Sequence, residues 1–135
     1  MLSLASPMIT LQQLDDRQAV TDLVSRLGLW LDGDTTLEQA RAILDPEVTV
    51  STPGGTARGI DAVVAQARRN HGVPTQHVIT NVLVDLDGDR ATAGANLIVT
   101  FPDATLGERY AFAAVRGDEG WRLTRIDVTL LWKRG

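Results

Sequence analysis

The spacing of apolar residues near the start of the chain predicts a long helix. Thr10 and Gln13 match a capping box at its beginning, and Gly33 is suited to a left-handed cap at its end. Intervals of three and four place one apolar stripe along such a helix, and that stripe packs on a core. The stripe consists of Val20, Leu23, Val24, Leu27, Trp30 and Leu31.

Two further helices are predicted in the first half of the chain. Thr35 and Glu38 match a second capping box, which opens a short helix. This helix stops before Pro46, because the residue that precedes a proline disfavours helical geometry. A third helix begins at Gly59 and ends near His71, with apolar residues on one side. His71 lies in its last turn, where a cation suits the helix dipole, and we assign it no chemistry.

The remainder of the chain alternates apolar and polar residues and is predicted to form strands. Asp87-Gly88-Asp89 is a strong signal for a tight hairpin turn, and residues 102–107 are expected to form a loop. The long strands then make a meander that needs helices on one face, so the predicted fold class is α+β. The predicted strands cover residues 47–52, 56–58, 75–86, 90–101, 108–116 and 121–132.

Length and composition fit one domain. We expect residues 1–9 to form a loose arm and residues 10–135 a single domain. The net charge of −4 argues against nucleic acid and anionic membranes as partners. The chain has no cysteine, no basic leader and no apolar run long enough to span a bilayer, so we expect a cytoplasmic protein.

Four stretches of the chain carry a resemblance to a known family. Together they resemble the SnoaL-like branch of the nuclear transport factor two-like superfamily, and the similarity runs from about Thr10 to Trp132. They are 19–34 (AVTDLVSRLGLWLDGD), 59–69 (GIDAVVAQARR), 75–93 (TQHVITNVLVDLDGDRATA) and 120–126 (GWRLTRI).

The resemblance implies a cone-shaped fold, in which a curved antiparallel sheet packs on three N-terminal helices around a pocket. Members include polyketide cyclases, ketosteroid isomerase and scytalone dehydratase. The enzymes act on hydrophobic, often aromatic or polycyclic, molecules by proton transfer, without metal or organic cofactor. Many members are homodimers through the outer sheet face, so we expect the same here.

Asp32 and His77 are the candidate catalytic residues. In the resemblance, Asp32 matches a pocket aspartate at the end of the first helix, and His77 a pocket histidine that opens the first long strand. Histidine exchanges protons near neutral pH, and a carboxylate among apolar groups can act as a base. The alternatives are a helix-ending turn for Asp32 and, for His77, a histidine bonded to a backbone carbonyl or placed on the dimer face.

Other residues are candidates for ligand contact. By strand alternation Asn81 shares a face with His77, and both Asn81 and Asn96 can donate hydrogen bonds to a carbonyl group. Leu27 stands where dehydratase-like relatives carry a tyrosine, and Phe101 or Thr100 lies about where they carry a second histidine. These departures weaken dehydration. Steroid isomerisation is weakened because Tyr110, the only tyrosine, lies too late in the chain to match the oxyanion-hole tyrosine of ketosteroid isomerase. The candidate ligand-binding residues are Leu27, Trp30, Asn81, Asn96, Phe101 and Tyr110.

The sequence leaves three functions open. The first is an enzyme that binds a small hydrophobic, carbonyl-bearing or polyketide-like molecule and moves a proton, as a cyclase, isomerase or dehydratase does. Asp32 would be its base and His77 its acid or orienting residue. The second is a binding module with the same pocket, and the third a protein-interaction domain that uses the outer sheet face. Two histidines make no convincing metal site, and we expect no cofactor.

Overall fold

A computed structural model describes residues 8–135, so residues 1–7 of the predicted arm lie outside the described residues. Met8 and Ile9 precede the first element and are exposed. The helices are α1 (Leu11–Asp32), α2 (Leu37–Arg41) and α3 (Ile60–Asn70). The strands are β1 (Leu44–Thr52), β2 (Gly55–Arg58), β3 (Gln76–Asp87), β4 (Arg90–Phe101), β5 (Ala104–Gly117) and β6 (Gly120–Arg134).

The strands form one curved sheet in the order β2-β1-β6-β5-β4-β3, and the helices cover one face of it. The predicted α+β class and the three helices are confirmed. The sheet is mixed, however, because β1 pairs in parallel with β6 while all the other pairs are antiparallel. The expectation of a wholly antiparallel sheet was wrong at this pair. The segment with α3 carries the chain from β2 at one edge of the sheet to β3 at the other edge. The meander from β3 to β6 then returns across the sheet, and β6 lies beside β1.

The helix caps agree with the sequence at one end of α1 and differ at the other. The capping box of Thr10 and Gln13 is present. Gly33 has φ −105 and ψ −145, so it does not form a left-handed cap. The positive φ of 48° falls instead on Thr35, and Thr36 rather than Thr35 caps α2. Among residues 8–135, no helix combines the length and the apolar character that crossing a bilayer requires.

The predicted loop at 102–107 is mostly strand. Phe101 pairs with Ala104, so β4 and β5 are joined by the two residues Pro102 and Asp103 alone. The two strands therefore extend further than predicted, and their residues Phe101 and Leu106 pack against the core and line the cleft. This extension supplies part of the wall of the cleft described below.

A bulge in β3 decides which of its side chains face the helices. The register against β4 shifts between Thr80 and Leu83, and Asn81 has a φ of 58°. Asparagine tolerates this left-handed conformation better than most residues. Alternation therefore restarts at the bulge. His77 points toward the core and Val82 does so further along, whereas Asn81 and Leu83 are exposed.

Candidate functional site

Asp32 and His77 form a hydrogen-bonded pair where α1 ends and β3 begins. Nδ1 of His77 lies 2.6 Å from Oδ1 of Asp32. The backbone N–H of His77 also donates to both carboxylate oxygens, at 3.0 Å each. The hydroxyl of Thr75 donates to Asp32 at 3.4 Å. These bonds hold the carboxylate and the imidazole in one geometry, although 45 positions separate them in the sequence.

Close packing of α1 on β3 makes this contact possible. Gly28 lies one turn before Asp32, and a Cβ added there would meet the side chain of Ile79 at 2.6 Å and the Cβ of His77 at 3.7 Å. A glycine at this position lets the two elements approach. The end of α1 is thereby placed against the start of β3.

The pair fixes the tautomer of His77. A carboxylate only accepts hydrogen bonds, so the proton of the neutral imidazole lies on Nδ1 and the lone pair on Nε2. The side chain of His77 is fully buried, and its Nε2 has no hydrogen-bond partner among the described residues. Burial lowers the pKa of His77, while the bond to Asp32 opposes that effect. The result is a neutral imidazole with a free basic nitrogen, backed by a carboxylate that stabilises the protonated form.

An apolar cavity and a wider cleft lie near the pair, although neither Asp32 nor His77 lines them. The inner cavity measures about 40 Å³, which is room for little more than water. The adjoining cleft measures about 320 Å³, near the lower end of the range for small-molecule sites. Five residues line both spaces and mark where they meet: Thr52, Asn70, His71, Tyr110 and Val128.

The structure brings four of the six candidate ligand residues to these spaces. Leu27, Trp30 and Tyr110 line the inner cavity. Phe101 and Tyr110 line the cleft. The indole N–H of Trp30 donates to the carbonyl of Thr36, so this side chain also ties α1 to the start of α2.

The interpretation of Asn81 and Asn96 as donors to a ligand in the cavity was wrong. Asn96 lies between the buried Ala95 and Leu97 of β4, so its side chain points to the outer sheet face. It contacts Asn81 at 3.5 Å and accepts a hydrogen bond from Arg109 at 3.1 Å. The bulge in β3 turns Asn81 to the same outer side, which simple alternation does not predict.

His71 belongs to the site, although the sequence analysis gave it no chemistry. It lines both the cavity and the cleft. Its ring centre lies 4.9 Å from that of His77, and it stacks on Phe101 at 6.2 Å. Nδ1 of His71 lies 3.1 Å from the carbonyl of Ala67, which assigns the proton to Nδ1. A signal was present, because His71 follows Ala67 by four residues on the apolar side of α3.

The electrostatics around His71 keep it neutral. Burial, and then the neighbouring His77, lower the pKa of His71 to about 4. On the opposite wall, the hydroxyl of Tyr110 donates to Glu108 at 3.5 Å, and burial raises the pKa of both groups. The site therefore offers the basic Nε2 of His71 at the end of α3 and the hydroxyl of Tyr110 on β5. Residues 8–135 contain no group of three or more histidine, aspartate or glutamate side chains arranged to hold a metal.

Comparison with protein families identifies the class. The sequence model of the SnoaL-like domain matches residues 12–127. The chain belongs to the SnoaL-like domain family. A search of curated protein sequences finds no match.

Several solved structures share the fold. The Kfla4162 protein from Kribbella flavida is 24% identical, with a TM-score of 0.81 over 90% of this chain and 95% of that one. A hexachlorocyclohexane dehydrochlorinase, LinA-type3 from Novosphingobium barchaimii LL02, is 16% identical, with a TM-score of 0.82 over 92% of each chain. A candidate scytalone dehydratase from Novosphingobium aromaticivorans is 20% identical, with a TM-score of 0.80 over 93% and 91%. Below 25% identity these likenesses establish the fold alone.

Proposed function

We propose that this protein is a cofactor-independent enzyme that binds a small hydrophobic molecule in the cleft and removes a proton from it. The observation that carries the proposal is the Asp32–His77 pair, with a 2.6 Å hydrogen bond on one ring nitrogen and a free lone pair on the other. Such an imidazole is a general base whose cation is stabilised by the carboxylate behind it.

The geometry favours a division of roles that differs from the sequence expectation. Asp32 is engaged by three donor groups, from Thr75 and from the backbone and ring of His77, so its oxygens are occupied. His77 has the unoccupied basic atom. We therefore assign His77 as the base and Asp32 as the residue that orients it. Removing a carboxylate in this position from a comparable triad slows catalysis by orders of magnitude, because the histidine takes the wrong tautomer.

The lining indicates the kind of ligand. The cavity wall is almost wholly apolar, with Leu27, Trp30 and Ile126 among its residues. Tyr110 lines both spaces, and its hydroxyl would hydrogen-bond a carbonyl or a leaving group in place of its 3.5 Å bond to Glu108. A small carbonyl-bearing or alicyclic compound fits these features, with proton abstraction next to the polar group.

The activities named for two structural neighbours support an elimination. A dehydrochlorinase removes the elements of hydrogen chloride, and a dehydratase those of water. A general base that removes a proton from carbon promotes both reactions. In the same step here, the C–H proton would leave the ligand in the cleft and reach Nε2 of His77, which does not itself line the cleft. The electron pair of the C–H bond would form a double bond, and the leaving group would depart toward Tyr110. Isomerisation or cyclisation would use the same proton abstraction.

The test is a search for ligands followed by a test for turnover. Small hydrophobic carbonyl, hydroxyl and halogenated ring compounds are screened by thermal shift, since a ligand raises the melting temperature by mass action. Binders are then incubated in deuterated buffer and followed by NMR for deuterium uptake or elimination. We expect exchange or product with the wild type and at least a hundredfold loss with His77→Gln.

A binding module without catalysis is the second candidate, and the small inner cavity favours it. In that case a compound would stabilise the protein but remain chemically unchanged, with no deuterium uptake above buffer. That outcome would contradict the proposed enzymatic function and support a binding module.

We further propose a homodimer in the cytoplasm. The outer sheet face carries exposed apolar residues on neighbouring strands, among them Val78, Ile98 and Trp132. These lie in one row, because Val78 pairs with Ile98, Ile98 with Gly107, and Gly107 with Trp132. An apolar row of this kind on a sheet fits a contact with a second copy. The negative net charge disfavours nucleic acid as a partner.

A further inference from the structure

The basic nitrogen of His77 is cut off from solvent. The side chain is fully buried, Nε2 has no partner among the described residues, and His77 lines neither the cavity nor the cleft. A base that takes a proton from a ligand in the cleft, and releases it before the next cycle, must exchange that proton with the cleft in both directions. The site therefore needs a second group that reaches both His77 and open space.

His71 meets this requirement. Its ring is 4.9 Å from that of His77, centre to centre, and it lines both the cavity and the cleft. Its Nδ1 is committed to the carbonyl of Ala67, so Nε2 is the atom free to accept a proton. At this ring separation the two Nε2 atoms can meet after a small rotation or through one water, with hydrogen bonds of about 3 Å.

We propose that His71 carries the proton between the Asp32–His77 pair and the cleft. In the transfer the Nε2–H bond of His77 breaks and an Nε2–H bond forms on His71. His77 returns to its neutral Nδ1–H form, and His71 becomes the cation. His71 then gives the proton to water or to the departing group in the cleft. The sum of charges is unchanged at each step, and the biological use of this transfer rests on the proposed function.

The surroundings of His71 suit brief protonation. Burial and His77 lower the pKa of His71, so the cation gives up its proton readily. The negative charge of Asp32 has the opposite effect and favours the cation while the proton passes. From the cleft wall Glu108 and Lys133 face the same space. The carbonyl end of α3, where His71 is the C-cap, also favours a transient positive charge.

The test measures proton exchange at His77 without any substrate. The chain has two histidines, so imidazole ¹⁵N signals are readily assigned. In a His71 variant, His77 is the sole histidine. The exchange rate of the His77 proton with water is measured by ¹⁵N line shapes at its midpoint of titration. We expect exchange at least tenfold slower in His71→Phe and in His71→Gln than in the wild type. In His71→Ala, added imidazole should restore the rate.

Arg69→Gln is the matched control, because Arg69 is an exposed cation in the last turn of α3 and should leave the rate unchanged. The ¹⁵N shift of Nδ1 in each variant reports whether the bond to Asp32 persists. An unchanged rate in both His71→Phe and His71→Gln, with that bond intact, would overturn the proposal. Since no turnover is needed, absence of an enzymatic reaction would contradict the proposed function and leave this measurement unaffected.

Discussion

The two imidazoles of the chain have the same hydrogen-bonding pattern and different surroundings. Each uses Nδ1 to donate, His77 to a carboxylate and His71 to a backbone carbonyl. Each is therefore left with a basic Nε2. That of His77 has no partner within residues 8–135, and His71 lines the cavity. The difference between carboxylate and carbonyl is what makes His77 the stronger candidate for the base.

Acid stability should depend on His71. Its pKa is about 4 in the folded protein and near 6.5 when unfolded. Between these values the unfolded chain binds a proton that the folded one does not, so its contribution to stability is present above pH 6.5 and is lost as the pH falls toward 4. Urea unfolding from pH 7 to 4 should show a shallower loss for His71→Gln than for the wild type. An equal or steeper loss would contradict this assignment.

The sequence predicted Asp32 and His77 as site residues but could not predict their contact. That contact depends on the packing of α1 on β3 at Gly28, which is a long-range feature. His71 was missed because its place in the last turn suggested only a favourable interaction with the helix dipole. The spacing of four residues between Ala67 and His71 places both on the same side of α3, and it was the better indication of a site residue.

At the scale of elements, α1 is anchored to the sheet at its start as well as its end. Asp16 is buried, and its Oδ1 accepts hydrogen bonds from Arg116 and from the indole of Trp121, at 3.1 Å for the latter. This anchor and the Asp32–His77 pair lie at opposite ends of α1. The first therefore helps to hold the helix in the position that the second requires.

Removing the anchor should destabilise the fold. Asp16→Ala leaves the buried indole N–H of Trp121 without its acceptor, and we expect a loss of about 2–3 kcal/mol in the free energy of unfolding. Asp15→Ala, at the exposed neighbouring position, should change it by less than about 0.5 kcal/mol. Urea denaturation of both variants measures the difference. Equal stability of the two would show that the buried bonds to Asp16 contribute little.

The strands illustrate what local patterns can and cannot predict. The hairpin at Asp87-Gly88-Asp89 follows from local turn chemistry, and Gly88 adopts the expected positive φ of 61°. Simple alternation predicts which sheet face each residue of β3 occupies. The bulge at Asn81 breaks this alternation, so the prediction fails for the residues after it. The parallel pairing of β1 with β6 joins residues 76 positions apart (Val50 with Ile126), and no local pattern encodes it.

At the scale of the whole molecule, the proposed dimer makes a direct prediction. The chain has a mass of 14.6 kDa, so light scattering should give about twice that value. Ile98→Lys places a charge in the middle of the apolar row and should give monomers. Leu29→Lys alters a leucine that is 73% exposed on α1, and it should remain dimeric. A wild-type protein that is monomeric at micromolar concentration would contradict the proposed contact.

In the proposed enzyme, Asp32 holds His77 as a neutral base. The most direct measurement is proton abstraction from a bound ligand, followed as deuterium uptake by NMR, in Asp32→Asn and in Asp34→Asn. Asparagine at position 32 keeps the shape but loses the charge that stabilises the imidazolium, and we expect the rate to fall at least a hundredfold. Asp34 is exposed two residues further on, and its variant should retain the wild-type rate. Equal rates in the two variants would contradict the account.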